Sequence, residues 1–325
     1  MAQHSFNGGD DTTRHELAIG DALVGSRLDR ALAQLLPQHS RSRLKGWIEA
    51  RRVEVDRKVV SEPKFKLRGG ETVSVHELAA PRAMSFAAQP MALAIVHEDT
   101  AIIVVAKPSG LVVHPGNGNW DGTLLNALLH HAPQLSALPR AGIVHRLDKD
   151  TSGILVVAKT LKAHTDLVRQ LHARSVQREY LAIAHGDLQR ATIVDAPIGR
   201  HPTQRTTMAV VNSGKPARTH LAIAERYGYA TLLRCRLETG RTHQIRVHLA
   251  ALGHPLLGDR TYLGRKFADA ALPLGARTFG RQALHAQRLG LVHPESGKVC
   301  QWEVPPPADF EELLSSLRQS PPVLT

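Results

Sequence analysis

Apolar and polar positions change their spacing along the first quarter of the chain. Between Arg27 and Leu36 leucines recur at helical intervals, and the proline that comes next would end the helix. A second helix would follow with Ser40 as its cap, and its apolar stripe comprises Leu44, Trp47 and Ile48. Two short helices are therefore expected here.

Short extended segments come next. Valines at 53–55 and 59–60 flank a polar turn, which predicts a hairpin, and two glycines at 69–70 lead into an alternating strand over 72–76. Residues 1–20 are polar and are expected to form a flexible tail. Residues 79–88 have the composition of a linker. We therefore expect a small domain over 21–78 and a larger one over 89–325.

The larger domain shows strand and helix patterns in an irregular order. Strands are predicted at 93–96, 102–105, 154–158, 180–184, 219–224, 230–237 and 289–293, and helices at 123–131, 161–173 and 242–252. Because strands and helices do not alternate strictly, the pattern favours an α+β fold with a mixed, mainly antiparallel sheet and a central cleft.

The composition restricts the class of protein. The chain has 325 residues, a net charge of +12 and a sequence pI of about 10.1, values that favour a polyanionic partner. Its two cysteines exclude a disulfide framework and fit a reducing compartment. The start lacks the apolar core of a signal peptide, and the apolar run 101–106 is far too short to span a bilayer. A cytoplasmic protein without membrane contact is expected.

Half of the positive excess lies in the small domain. Residues 25–76 contain twelve Lys or Arg against six Asp or Glu, and twelve minus six gives +6. A solvated helix face is one interpretation, but several cations on one surface also favour phosphate binding. The candidate RNA-binding residues are Arg27, Arg41, Arg43, Lys45, Arg51 and Arg52.

The most informative stretch is 142–153, which contains His145-Arg146-Leu147-Asp148 and, after two residues, Thr-Ser-Gly. It places charges and hydroxyls between two apolar segments. Because burying such groups costs desolvation free energy, the stretch is either an exposed turn or a functional site. An EF-hand is excluded because Lys159 occupies the position of the bidentate glutamate. The protein-kinase loop is excluded because Leu147 breaks its spacing.

This stretch resembles the active-site motif of the RluA-type pseudouridine synthases. Further similar segments occur in the family's order at 107–116, 178–180, 239–248 and 253–259. The basic segment resembles an S4 RNA-binding domain, which also fits this family. Within the family the chain is most similar to the RluD branch, which modifies the helix 69 stem-loop of large-subunit (23S) ribosomal RNA.

The resemblance implies a function and roles for individual residues. Asp148 would be the catalytic nucleophile, and Arg246, which aligns with an arginine of the family, would supply the cation that favours the ionised carboxylate. Tyr180 would stack on the base and is a candidate acceptor of the C5 proton. Arg146 would fill the space vacated by the flipped base. The aspartate could attack ribose C1′ or ring C6, or abstract a ribose proton, and the sequence does not choose among these routes.

The implied partner is ribosomal RNA, as a large-subunit precursor or an assembling particle. Because isomerisation neither oxidises nor hydrolyses its substrate, no cofactor, nucleotide or metal is expected. The pair His243 and His248 has no simple metal-ligand spacing and is interpreted as structural.

Two other functions are considered. A non-catalytic RNA-binding factor would not need Asp148, Tyr180 and Arg246 together. A hydrolase would need a second carboxylate near Asp148, for which the motif offers only Asp150.

Overall fold

The computed structural model describes residues 14–36, 39, 41–77, 86–116, 119, 121–204, 206–264 and 272–319, without the side chains of 41–43. The chain forms two compact units, Met1–Ser85 and Phe86–Thr325. Each unit has a hydrophobic core of its own. Within the described residues, no helix combines the length and the apolar character needed to cross a membrane.

The first unit packs two helices against a small antiparallel sheet. Its elements are β1 (Arg14–Ala18), α1 (Leu28–Leu35), α2 (Arg41–Glu49), β2 (Val53–Val55), β3 (Lys58–Val59) and β4 (Thr72–His76), with the strands in the order β1-β4-β2-β3. Leu28 and Leu32 of α1 and Leu44 and Ile48 of α2 are fully buried. The two helices that the leucine spacing predicted are therefore confirmed as α1 and α2. The predicted hairpin is the antiparallel pair β2–β3.

Strand β1 corrects the expectation of a flexible tail over residues 1–20. Residues 14–18 pair with β4 along their whole length, with His15 opposite Val75. His15 and Leu17 are partly buried, whereas Arg14, Glu16 and Ala18 are exposed. This alternation contains too few apolar residues to be recognised without its partner strand. The predicted cap Ser40 and residues 79–85 of the expected linker lie outside the described residues.

The second unit is built on a nine-stranded sheet. Its strands and helices are β5 (Ile95–Glu98), β6 (Ile102–Lys107), α3 (Leu124–His131), β7 (Ser152–Ala158), α4 (Leu161–His172), β8 (Gln177–His185), β9 (Thr192–Asp195), β10 (Ile198–Arg200), β11 (Met208–Val210), β12 (Arg218–Arg226), β13 (Ala230–Leu237), α5 (Gln244–Ala251), α6 (Leu274–Arg277), β14 (Leu284–Val292), β15 (Val299–Glu303) and α7 (Ala308–Gln319). Strands β10 and β11 form a separate ribbon.

The sheet order is β5-β6-β7-β14-β8-β13-β12-β9, with β15 paired to β14. Only the β7–β14 pair among these described strands is parallel, so the predicted mixed, mainly antiparallel α+β fold is confirmed. Every residue of β7 is buried. Strand β14 lies at the centre although it comes late in the chain. Strands β9, β10, β11 and β15 and helices α6 and α7 were not predicted.

Candidate active site

The motif segment lies between a 3-10 turn at Pro139–Gly142 and the start of β7. Gly153 has φ of 118°, and a Cβ at this position would lie 2.1 Å from the carbonyl oxygen of Ala286 in β14. Ser152 beside it hydrogen-bonds to Nδ1 of His285 over 3.0 Å. The two strands therefore approach too closely for any other residue than glycine, and this fixes the end of the motif loop against the central strand.

Buried cations hold the loop backbone next to Asp148. The Lys107 side chain is 2% exposed and donates to the carbonyl oxygens of Pro108 at 2.7 Å, Leu111 at 3.0 Å and Lys149 at 2.8 Å. Arg281 donates to the carbonyl of Asp150 over 3.1 Å. The residues directly after Asp148 are thus fixed by two side chains from distant parts of the unit.

The environment of Lys107 is dominated by its burial. Burial lowers the pKa of its amine to about 7, although the negative charges of Asp150 and Asp148 act in the opposite direction. Three simultaneous donations require the ammonium form, since a neutral amine has only two N–H groups. Lys107 is therefore a positioning residue for the loop that bears Asp148. The sequence identified it only as part of a motif.

Asp148 belongs to a buried chain of charges. Arg246, on α5, donates from Nη1 to Asp148 Oδ2 over 3.1 Å. Its Nε and Nη2 donate to the two carboxylate oxygens of Asp259 over 2.7 and 2.8 Å. The side chains of Asp148, Arg246 and Asp259 are 18%, 7% and 0% exposed. The structure thus brings the predicted pair Asp148 and Arg246 together and adds Asp259, whose role the sequence did not reveal.

The charge of Arg246 is secured by these carboxylates. Burial by itself would lower the pKa of its guanidinium, but the hydrogen bonds and negative charges of Asp259 and Asp148 outweigh burial and raise it. Asp259 also accepts hydrogen bonds from the backbone N–H groups of Thr261, at 3.0 Å, and Tyr262, at 3.3 Å. Arg246 is therefore a permanent cation held in one orientation, with one nitrogen directed at Asp148.

The rings of Tyr262 and His243 pack beside the Asp148–Arg246 pair. The Tyr262 ring lies under the Arg246 guanidinium at 5.0 Å, and its hydroxyl bonds to Nδ1 of His243 over 2.8 Å. Nε2 of His243 lies 3.9 Å from Asp148 Oδ1. Burial lowers the pKa of His243, and the charge of Asp148 opposes this effect only in part. His243 thus makes polar contacts as a neutral ring, and His248 does so elsewhere, with Thr219 and the Ala196 carbonyl.

Asp148, Tyr180, Arg246 and Arg146 line one cleft of about 930 Å³ in the second unit. Tyr180, on β8, is 7% exposed. Burial raises the pKa of its phenol, Arg178 lowers it and Asp148 raises it, with a net increase, so the hydroxyl is neutral. Arg146 is exposed and forms no hydrogen bond or ion pair with any residue that the structure describes. Its guanidinium is free to contact a ligand.

Arg178 is a further cation of the cleft, and the sequence did not single it out. It is 7% exposed, and Nη2 donates to the Glu238 carbonyl over 3.3 Å. Its Nε is buried and lacks a hydrogen-bond partner among the described residues. A Cβ at Gly240 would lie 2.7 Å from its Nη1. Gly240, in the family-like segment 239–248, therefore makes room for this buried guanidinium.

The predicted RNA-binding residues of the first unit differ in whether their charged groups are already paired with an acidic side chain. Arg27 forms two hydrogen bonds of 3.0 Å with Asp29, and Lys45 pairs with Glu49 at 3.3 Å. Arg51 is exposed and Arg52 half-buried, and neither forms an ion pair within the described part of the chain. The side chains of Arg41 and Arg43 lie outside the described residues.

Both units of the chain match known protein families. The family model for RNA pseudouridylate synthase matches residues 101–251, and that for the S4 domain matches residues 26–73. The chain is 56% identical over 306 residues to the ribosomal large subunit pseudouridine synthase D of Nitrosomonas europaea, covering 94% of this chain and 88% of that protein. Its identity to the protein of the same name from Escherichia coli (strain K12) is 52% over 304 residues, covering 92% and 93%.

Two solved structures are also similar to this chain. The human RNA pseudouridylate synthase domain containing 1 has a TM-score of 0.53 and 28% identity, and the match covers 72% of this chain and 99% of that one. The human RNA pseudouridylate synthase domain containing 4 has a TM-score of 0.55 and 27% identity, and the match covers 69% of this chain and 92% of that one.

Proposed function

This chain belongs to the RNA pseudouridylate synthase family, and we propose that it isomerises specific uridines of large-subunit ribosomal RNA, in the helix 69 stem-loop. The relatives at 52% and 56% identity carry names that specify the large ribosomal subunit. The S4 domain and the net charge of +12 support an RNA substrate. The substrate would be met as a large-subunit precursor or an assembling particle.

The reaction breaks the bond between N1 of uracil and C1′ of ribose, rotates the base and joins C1′ to C5. The proton on C5 is lost, and N1 carries a proton in the product. The enzyme must therefore activate the glycosidic bond, hold the detached base and move one proton. The cleft presents one group suited to each task.

We assign the nucleophile to Asp148, and its geometry is the observation that carries the proposal. One carboxylate oxygen faces Arg246 at 3.1 Å, and the side chain remains 18% exposed to the cleft. The backbone that follows it is held through Lys107 and Arg281. A preorganised carboxylate beside a fixed cation is the arrangement needed to form a covalent intermediate with little reorganisation.

We assign base contact and proton transfer to Tyr180. Its ring lines the same cleft as Asp148, and its neutral hydroxyl can donate or accept a hydrogen bond. The exposed Arg146 is suited to take the place of the extruded uridine in the RNA stack, because a planar guanidinium stacks on bases and bonds to phosphates.

The hydrolase alternative is poorly supported by the same geometry. Asp259 is the nearby buried carboxylate, but both of its oxygens bind Arg246 and its side chain is 0% exposed. It is not available to activate water. A non-catalytic RNA-binding factor would not explain why a carboxylate is held beside a buried arginine inside a cleft.

Asp148→Asn tests the proposal. The substitution keeps the shape of the side chain and removes its charge, so we expect loss of pseudouridine formation with RNA affinity and thermal stability near those of the wild type. The product is measured in large-subunit RNA by mass spectrometry after pseudouridine-specific labelling. Asp150→Asn is the matched control and should retain turnover. Asp148→Asn turnover within about tenfold of the wild type contradicts the assignment.

A further inference from the structure

The first unit contains a cluster of potential metal ligands from three separate parts of the chain. His15 lies on β1, His39 follows α1, and Glu77 follows β4. The ligand atoms of all three side chains lie within 4.8 Å of one another. Nε2 of His15 is 3.0 Å from Glu77 Oε2, and Nε2 of His39 is 3.7 Å from Glu77 Oε1.

We propose that His15, His39 and Glu77 bind one divalent transition-metal ion of the zinc class, with solvent as the fourth ligand. Two ligand atoms on a tetrahedral zinc ion, each at about 2.0 to 2.2 Å from the metal, lie about 3.3 to 3.5 Å apart. The separations of 3.0 and 3.7 Å end on the two different oxygens of Glu77, Oε2 and Oε1, and fall on either side of this range. Since the ligand atoms of all three residues lie within 4.8 Å of one another, rotations of these side chains would bring them into one coordination shell.

The chemistry of the ligand set selects the ion. Two imidazole nitrogens and one carboxylate are ligands suited to zinc and its neighbours, whereas calcium and magnesium require a shell made of oxygen atoms. The carboxylate also supplies a negative charge that favours the binding of a cation.

The fold places the cluster at the rim of the core of the first unit. His15 stands opposite Val75, which is fully buried, and Glu77 is two positions further along from Val75. The His39 ring packs edge-on against Trp47, with the ring centroids 4.9 Å apart. The side chains of His15, His39 and Glu77 are 22%, 10% and 17% exposed. An ion here would be half-shielded from water and would connect β1 to the segments after α1 and β4.

The sequence alone did not reveal this cluster, because its members are far apart in the chain and have no motif spacing. The expectation of no metal concerned the chemistry of isomerisation, and the cluster belongs to the other unit. The inference does not depend on the proposed function. Chelation should leave turnover at saturating RNA unchanged.

The experiment uses the full chain after treatment with a chelator. Zn²⁺ is titrated in competition with a chromophoric chelator, and Co²⁺ is then bound to record its visible spectrum. We expect one ion per chain, a four-coordinate Co²⁺ spectrum and a thermal midpoint raised by Zn²⁺. His15→Gln, His39→Gln and Glu77→Gln should each weaken binding by about a hundredfold or more.

His76→Gln is the matched control, because His76 is adjacent to Glu77 in sequence but pairs with Glu54 at 3.8 Å outside the cluster. It should bind Zn²⁺ as the wild type does. Absence of stoichiometric binding, or a Co²⁺ spectrum of six-coordinate type, overturns the proposal and leaves a histidine–carboxylate hydrogen-bond cluster only. Equal affinity in the three variants and the control also overturns it. The Co²⁺ spectrum of the wild type decides the question even if a variant does not fold.

Discussion

The role of Asp259 in orienting Arg246 gives a quantitative prediction for Asp259→Asn. The side chain is 0% exposed and accepts two charged hydrogen bonds of 2.7 and 2.8 Å from Arg246. An amide retains one acceptor but presents N–H donors toward the guanidinium at the other position. The variant therefore loses one charged hydrogen bond and leaves a buried cation partly uncompensated.

Breaking one side of a buried ion pair costs about 3 to 5 kcal/mol, and we expect about 3 kcal/mol because one acceptor remains. In a domain of this size each kcal/mol lowers the thermal midpoint by about 2 to 4 °C, which gives about 6 to 12 °C. Arg246 would also hold Asp148 less firmly. Losing a charged hydrogen bond of about 1.5 to 3 kcal/mol in the transition state corresponds to a rate about ten- to a hundredfold lower.

The assay combines thermal unfolding with single-turnover pseudouridine formation. The matched control is Glu225→Gln, since Glu225 binds Arg318 through a similar pair of contacts, at 2.9 and 3.1 Å, but the side chains of Arg318 and Glu225 are 49% and 36% exposed. Exposed pairs contribute about 1 kcal/mol or less, so the control should unfold near the wild-type temperature with full activity. Equal loss of stability in the two variants would falsify the reasoning, as would full turnover of Asp259→Asn.

Three further predictions concern separate groups. Tyr180→Phe should still bind RNA but form pseudouridine at a strongly reduced rate, and unchanged turnover would exclude a role for the hydroxyl in proton transfer. Lys107→Met should lower the free energy of unfolding by about 1 to 3 kcal/mol per carbonyl left without a donor. Because burial lowers the pKa of Lys107 from its ordinary 10.5 to about 7, the native state binds fewer protons than the unfolded state between these values. The wild-type free energy of unfolding, relative to that of the variant, should therefore rise with pH in this window, and parallel urea-denaturation profiles at pH 6, 8 and 9.5 would contradict this. Replacing Arg51 and Arg52 with glutamine should reduce the slope of log affinity against log salt by about 1.4 to 1.8, at about 0.7 to 0.9 per phosphate contact, without changing the rate at saturating RNA. An unchanged slope would show that these side chains face only water.

The local patterns predicted the elements that bury a clear apolar face. Leu28, Leu32, Leu44 and Ile48 recur at helical spacing, and all four are fully buried in the helices they predicted. Strand β1 was missed because its stability comes from pairing with β4, which lies more than fifty residues later in the chain. A short strand with one strongly apolar residue has no signal of its own.

In the candidate active site, too, only some of the residues could be predicted from the sequence. The motif drew attention to Asp148, and the family resemblance to Arg246 and Tyr180, and these side chains line one cleft. The residues that position them were not predicted. Lys107 acts through a carbonyl 42 positions away in the sequence, and only the folded chain shows this contact. Such roles depend on tertiary geometry rather than on residue type.

The central position of β14 has a consequence for the synthesis of the chain. This strand, Leu284–Val292, is inserted between β7 and β8, and its contact with Ser152 joins residues 133 positions apart. Until it leaves the ribosome, β7 and β8 have no common neighbour, and the end of the loop bearing Asp148 lacks its contact with the central strand. Pairings over such distances form slowly, because a long loop must close first. The first unit can fold during translation, whereas the catalytic cleft is completed only when almost the whole chain has been made.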